Sequence, residues 1–161
     1  MKNIVIIGGS RGIGKALAIQ LSEDHRVLVL ARSIEKLQEM QETSPSDNLM
    51  IGAVDLSAPN LRDYLSTLIS SYFDQVDVLI NNAGYLVNKP FLDLTEKDIE
   101  DSFATNVFGL IQSCQAAVPL MEKQGGHIVN IGSMGGFQGS SKFAGLSVYS
   151  ASKSAVAGFS E

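Results

Sequence analysis

Apolar residues along this chain fall into short blocks separated by amphipathic stretches. Lys2 to Ile7 is a brief apolar run ending in Gly8-Gly9. Such a run, bounded by turn residues, predicts a strand buried on both faces. Gly14 to Leu21 predicts a helix with Ala16, Leu17 and Leu21 on one side. Val27 to Ala31 predicts a second buried strand and Leu49 to Val54 a third. Between them Ser33 caps a short charged helix that fades by Ser44-Pro45. Ser57 to Tyr72 predicts a helix with Pro59 in its first turn. Its apolar positions Leu61, Leu65, Leu68, Ile69 and Tyr72 follow the helical period. Val76 to Ile80 predicts a fourth strand, followed by Asn81-Asn82-Ala83-Gly84.

Thr95-Glu96-Lys97-Asp98 has the form of a capping box and opens the next helical stretch. Phe103 to Met121 is apolar almost all round, interrupted mainly by Thr105, Asn106, Gln112, Ser113 and Gln115. That pattern predicts a helix buried on more than one side. His127 to Ile131 predicts a fifth strand. A glycine- and serine-rich loop, Gly132 to Ser147, leads to a last helix that begins near Tyr149 and is still in pattern at Glu161. Strands alternating with helices imply an α/β fold, a doubly wound parallel sheet with helices on both faces. Ligands in such sheets bind outside the carboxyl ends of the strands. The informative loops therefore follow Ile7, Ala31, Val54, Ile80 and Ile131.

Composition narrows the picture. A length of 161 residues fits one domain, 1–161, with a core of ordinary size. Apolar residues at 45% and charged residues at 18% exclude disorder as the default. A net charge of −5 argues against a basic nucleic-acid surface. No apolar run approaches the roughly 18 residues of a membrane span. No secretory leader is expected, because only four apolar residues separate Lys2-Asn3 from the glycine cluster. Cys114 is the only cysteine, so no intrachain disulfide forms, and a cytoplasmic location is expected. His25 and His127 read as structural, and no metal is expected.

The loop Gly8-Gly9-Ser10-Arg11-Gly12-Ile13-Gly14 joins a predicted strand to a predicted helix. Glycines there let the backbone approach a phosphate, and the helix N-terminus offers N–H groups and a positive dipole. The bland alternative is an ordinary glycine-rich turn. Gly9 to Lys15 also fits the triphosphate loop G-x-x-x-x-G-K, with Asp55 as a second acidic ligand, but Ala16 stands where a Mg²⁺-binding hydroxyl belongs, which argues against it. Arg32 lies 20 positions after Gly12, where a dinucleotide fold reads the adenosine ribose. An arginine suits a 2′-phosphate and an acid suits a free 2′-OH. Arg32, with Arg11 as a second contact, thus favours NADP(H) over NAD(H); two solvated surface arginines are the alternative.

With these motifs in order the chain resembles the short-chain dehydrogenase/reductase (SDR) family. The resemblance rests on Gly8/Gly12/Gly14, on Asn81-Asn82-Ala83-Gly84, on Asn106 with Gly109, and on Tyr149-Ser150-Ala151-Ser152-Lys153 preceded by Ser133. It implies a Rossmann-like fold. It also implies that Gly8, Ser10, Arg11, Gly12, Ile13 and Gly14 surround the pyrophosphate and adenosine side. Asp55 and Leu56 would contact the adenine, and Asn82, Ala83 and Gly84 would lie against the riboses. Asn106, Ser133, Tyr149 and Lys153 would form a catalytic tetrad, with Tyr149 and Lys153 also touching the cofactor.

Chemistry supports those roles. Tyr149 and Lys153 are four apart and share a helix face. An unperturbed tyrosine holds its proton to about pH 10, and a nearby ammonium favours the phenolate. Tyr149 would then act as general acid and base on a carbonyl/alcohol substrate, while Ser133 hydrogen-bonds the reacting oxygen. Asn106 would fix a water that passes protons to Lys153. The bland alternatives are a helix-start aromatic, a solvated lysine and a turn serine, and an Asp55 that merely caps the next helix. Cys114 reads as core.

The chain departs from the family in places. Ile7 stands where threonine is common, and Gly132-Ser133 replaces a serine pair. Ser133 to Tyr149 spans 16 positions, a little longer than usual. Family members continue beyond the Tyr-Lys helix with two more strands and a substrate lid, so the resemblance implies a domain incomplete at Glu161. The expectation is an NADP(H)-dependent oxidoreductase; a non-catalytic NADP-binding module or inactive remnant is the alternative. The Phe103 to Met121 helix and the small residues Ala151, Ala155, Ala157 and Gly158 suit helix packing between subunits, so a homodimer or homotetramer is expected.

Overall fold

The computed structural model describes residues 1–161. Five strands form one parallel sheet: β1 (Asn3–Ile7), β2 (Arg26–Ala31), β3 (Leu49–Ala53), β4 (Val78–Asn81) and β5 (His127–Asn130). Their spatial order is β3-β2-β1-β4-β5. The chain builds outward from β1 to β3, then returns to lay β4 on the other side of β1. That reversal opens a crevice beyond the carboxyl ends of β1 and β4. Registers align these ends: Gly52, Leu30, Ile7, Asn81 and Asn130 form one row across the sheet.

The near-continuous apolar strands are required by helices on both faces. Val5, Ile7, Leu28 and Leu30 point to one side, against Leu61, Leu65 and Ile69 of α3 (Leu61–Ser70) and Leu110, Cys114 and Ala117 of α5 (Gly109–Ala117). Ile4, Ile6, Val27 and Val29 point to the other side, against Ala18 of α1 (Gly12–Ser22) and Leu37 and Met40 of α2 (Ile34–Thr43). Each fully buried aliphatic side chain contributes about 1.5–3 kcal/mol. Burial pushes the Cys114 thiol pKa up, so its reactive thiolate is disfavoured. No helix is long and apolar enough to cross a membrane.

Several boundaries differ from expectation. The helix predicted from Ser57 begins at Leu61, because Asn60 takes a left-handed conformation with φ 55°. Pro59 therefore precedes the helix rather than sitting in its first turn. Ser33 occupies the N-cap of α2, but its hydroxyl bonds Glu35 instead of a helix N–H. The fourth strand begins at Val78, two residues late, while the Val76 N–H is drawn to the Leu120 carbonyl. The last helix, α6 (Ser147–Ser160), starts two residues before Tyr149.

The capping box forms: Thr95 Oγ1 accepts from the Asp98 N–H at 3.2 Å, and Asp98 Oδ2 accepts from the Thr95 N–H at 2.9 Å. It opens α4 (Glu96–Phe103). The expected single helix from Phe103 to Met121 is divided. A π-helical turn, Ala104–Phe108, separates α4 from α5, and a 3₁₀ turn at Val118–Leu120 ends the stretch at Pro119. A π turn inserts one residue and rotates the downstream helix relative to the upstream one. Here it holds Asn106 almost wholly buried and seats Gly109 against Leu56, where an added Cβ would lie 2.7 Å from the Leu56 Cβ.

Candidate functional site

The site begins where β1 ends. Gly8 has φ +88°, and a Cβ there would lie 2.5 Å from the Ala83 backbone. The two loops are laced together as well as close. Asn82 and Ala83 each donate a backbone N–H to the Ile7 carbonyl, at 2.9 and 2.8 Å. Asn82 Nδ2 donates to the Gly8 carbonyl at 2.7 Å. Asn82 is thus a brace for the glycine loop as well as part of its wall. Gly14 belongs to the same brace: a Cβ there would collide with the Gly8 carbonyl oxygen and lie 2.5 Å from Asn82 Nδ2. It is the one glycine-loop site residue that does not line the cleft. Gly12 faces open space, and its φ of +57° is what calls for glycine.

A cleft of about 390 Å³ lies over this loop. Gly8, Ser10, Arg11, Gly12 and Ile13 form its floor at the N-terminus of α1. That first turn carries no acidic side chain, and Arg11 at the N-cap makes no capping bond, so free N–H groups and the helix dipole favour an anion there. Asn82, Ala83 and Gly84 form one wall, and Asp55 and Leu56 the opposite one. Asp55 Oδ1 accepts from the Ser57 N–H at 2.9 Å and the Ser57 hydroxyl at 2.7 Å. Those bonds, helped by the nearby Arg32 charge, hold the Asp55 carboxyl pKa below its ordinary value.

Arg32 lies at the far end of the cleft, together with Ser33 and Lys36. Sequence reasoning missed Lys36. Its signal was the first turn of α2, which must open toward whatever Arg32 faces. Thr105, on the π turn, also reaches the cleft and was missed, since the π turn itself was not predicted.

The second half of the site is polar and mostly buried. Asn106 is 1% exposed. Its Oδ1 accepts from the Tyr85 N–H at 2.7 Å, and its Nδ2 donates to the Tyr85 carbonyl at 2.9 Å. The same Nδ2 donates to the Ser152 hydroxyl at 2.9 Å. The side chain therefore clamps the segment after β4 to α6, a bracing task the sequence did not suggest. Lys153 is 3% exposed, and its Nζ donates to the Ile131 carbonyl at 2.7 Å. No carboxylate pairs with it, and burial pushes the pKa of its ammonium down.

Ser133 is brought to α6 by a 3₁₀ turn, Met134–Gly136. Added Cβ atoms on Gly135 and Gly136 would lie 2.7 Å from Ser150 Oγ and 2.6 Å from the Lys153 backbone. The turn is thus pressed onto the helix between Ser150, next to Tyr149, and Lys153 one turn along. Ser133 Oγ accepts from the Gly135 N–H at 3.2 Å, which leaves its own proton available to donate. Tyr149 is half-buried at the start of α6. The two halves of the site meet at Gly84. This residue lines the cleft, and a Cβ on it would lie 3.8 Å from Asn106 Oδ1 and 3.9 Å from Lys153 Nζ. The cleft can hold an extended anionic molecule, with the buried Lys153 ammonium beside Gly84 at its edge.

A family model described as short chain dehydrogenase matches residues 2–161. The chain is 36% identical over 162 residues to carbonyl reductase family member 4 of Xenopus laevis, covering 99% of this chain and 66% of that protein. It thus spans about two thirds of the length of the curated relatives it matches. Serine dehydrogenase from Escherichia coli has a similar structure, with a TM-score of 0.86 and 32% identity, covering 98% of this chain and 73% of that one. A metagenomic short-chain oxidoreductase in complex with NADP has a TM-score of 0.88 and 30% identity, over 98% of this chain and 72% of that one. The chain belongs to the short-chain dehydrogenase/reductase family, whose members are oxidoreductases using nicotinamide cofactors.

Proposed function

We propose that residues 1–161 form an NADP(H)-binding domain of a carbonyl/alcohol oxidoreductase, with Tyr149 as general acid and base. The junction at Gly84 carries the reading, because it sets the cleft and the polar cluster end to end. The cradle fits a dinucleotide: a glycine loop free of Cβ atoms and a helix N-terminus without acids suit a pyrophosphate. Arg32, Lys36 and Arg11 favour the 2′-phosphate of NADP(H) over a free ribose.

In this reading the cofactor supplies the hydride that a substrate carbonyl carbon takes up, leaving the oxidised nicotinamide. The protein does the rest. Ser133 donates a hydrogen bond to the carbonyl oxygen as charge develops on it. Tyr149 gives that oxygen its phenolic proton, so the product is the alcohol. Lys153 restores charge balance beside the resulting phenolate and holds the ribose. Asn106 keeps Tyr85 and α6 in register around these groups. Oxidation runs the same steps backwards.

Exposed Ile99, Phe108 and Val118 on the α4–α5 stretch support a homodimer or homotetramer. The small residues Ala151, Ala157 and Gly158 on α6 are also exposed and suit close helix packing. A small-molecule substrate and a cytoplasmic setting complete the reading. Oxidation of NADPH and NADH by a panel of aldehydes and ketones tests it, with Tyr149→Phe alongside. Turnover with NADPH that Tyr149→Phe abolishes is the expected result. NADPH binding without turnover favours the non-catalytic module, and equal rates in both proteins refute the assignment of Tyr149.

A further inference from the structure

The segments that leave the reactive groups carry a consistent chemistry. Tyr85, clamped to Asn106, is followed by Leu86, which is 57% exposed. Ser133 is followed by Met134, which is 68% exposed, and the same loop exposes Phe137 at 65% and Phe143 at 63%. The two segments are tied to each other close to Tyr149. The Lys89 N–H donates to the Gly145 carbonyl at 3.0 Å, and Asn88 Oδ1 packs against the Gly145 Cα. Leu146 then accepts from the Ser150 N–H to start α6. The segments that carry Ser133 and lead into Tyr149 therefore expose large apolar side chains.

Charge is missing from the same segments. From Asn82 to Leu92 the only charged residue is Lys89, and from Gly132 to Tyr149 the only one is Lys142. Neither ammonium is free. Lys89 Nζ donates to both Asp98 carboxylate oxygens at 2.7 Å. Lys142 Nζ donates to the Gly135 carbonyl at 2.9 Å, the Phe137 carbonyl at 2.7 Å and the Ser140 hydroxyl at 3.0 Å. Lys153 is buried behind Gly84 and bonded to Ile131. A substrate carboxylate or phosphate seated against these side chains would meet no unpaired ammonium, and covering it there would be unfavourable. An alkyl or aryl group would gain by covering Leu86, Met134, Phe137 or Phe143.

We infer that this site selects neutral, apolar carbonyl compounds, such as alkyl and aryl ketones, and discriminates against keto acids and phosphorylated carbonyls. The inference rests on the oxidoreductase reading for the position of the carbonyl and on the two lysine networks for the class of substrate. A matched pair tests it: 2-octanone and 7-oxooctanoate, which differ at the end remote from the reacting carbonyl.

With NADPH, kcat/KM should favour the ketone by about tenfold or more. Leu86→Asp and Phe137→Asp, both at exposed positions, should shrink that preference without lowering Tm. Saturation-transfer NMR of the same pair on the NADP⁺-loaded protein reads the selectivity separately from turnover. If neither compound is reduced but only the ketone gives a signal, the oxidoreductase reading fails and the selectivity stands. Equal signals from both compounds, no signal from the ketone, or turnover that favours the keto acid overturns the inference. A preference unchanged in both aspartate variants also overturns it.

Discussion

Asn106 and Ser152 are joined across two helices: the Asn106 amide donates to the Ser152 hydroxyl at 2.9 Å, and that hydroxyl donates to the Tyr149 carbonyl at 2.8 Å. Asn106 in turn grips the Tyr85 backbone through both ends of its amide. The π turn that carries Asn106 is thus tied to the first turn of α6, where Tyr149 stands. Ser152 is fully buried, so its hydroxyl has no water to replace a lost partner. Ser152→Ala should cost about 1 kcal/mol in stability. It should also lower kcat while leaving the KM for NADPH in place, because the cleft is built elsewhere. A thermal melt and steady-state kinetics on one preparation check both; a lower Tm with unchanged kcat would confine Ser152 to packing.

Two glycines should respond in opposite ways to the same added methyl group. At Gly84 the methyl meets only ordinary contacts, 3.8 Å from Asn106 Oδ1 and 3.9 Å from Lys153 Nζ. Gly84→Ala should fold with nearly unchanged Tm yet bind NADPH poorly and turn over slowly, since the methyl fills the junction. At Gly14 the methyl collides with the Gly8 carbonyl and the Asn82 amide. Gly14→Ala should lose about 1–3 kcal/mol of stability, as overpacked sites do. Calorimetry of unfolding and of NADPH binding separates the two outcomes.

Arg32 and Lys36 share the far end of the cleft, so they should act on the cofactor phosphate and not on the nicotinamide. Losing one charge-assisted contact weakens binding by about 1.5–3 kcal/mol. Arg32→Ala and Lys36→Ala should each weaken NADPH by roughly tenfold or more and leave NADH affinity almost as it was. Fluorescence titrations with both nucleotides measure this; parallel losses for NADH would remove the 2′-phosphate from the explanation.

Acid should loosen the substrate-side segment through Asp98. Its carboxyl is held at about 2 instead of 3.8, chiefly by the Lys89 ammonium and then by Thr95. A carboxylate with a depressed folded pKa adds stability above its unfolded value, and that stability drains away as pH falls through the folded value. Here the window runs from 3.8 down to about 2. Asp98→Asn should therefore show lower Tm than the parent at pH 5 and converge with it near pH 2. A constant gap across that range would contradict the assignment.

The sequence carried the sheet well because its strands obey a simple constraint. Val5, Ile7, Leu28 and Leu30 must be apolar on one face, and Ile4, Ile6, Val27 and Val29 on the other, when helices cover both. The glycine loop was equally legible, since few other roles call for glycine at Gly8 and Gly12. Features decided by tertiary contact escaped. The π turn at Ala104–Phe108 depends on Asn106 meeting Tyr85 and Ser152, which lie 21 and 46 positions away. The late start of α3 depends on Asn60 adopting φ 55°, which competes with the proline rule that placed Pro59 inside the helix. Lys36 was overlooked because a lysine on a charged amphipathic helix reads as solvated until the cleft shows what it faces.

The chemistry proposed for this chain passes through Tyr149 at the end of the dinucleotide cleft. Single-turnover transfer of deuterium from (4-²H)NADPH to 2-octanone, in the parent protein and in Tyr149→Phe, addresses it most directly. Deuterium in the product alcohol with the parent, and none above background with Tyr149→Phe at saturating NADPH, is the predicted result. Equal deuterium transfer by the two proteins would remove Tyr149 from the reaction.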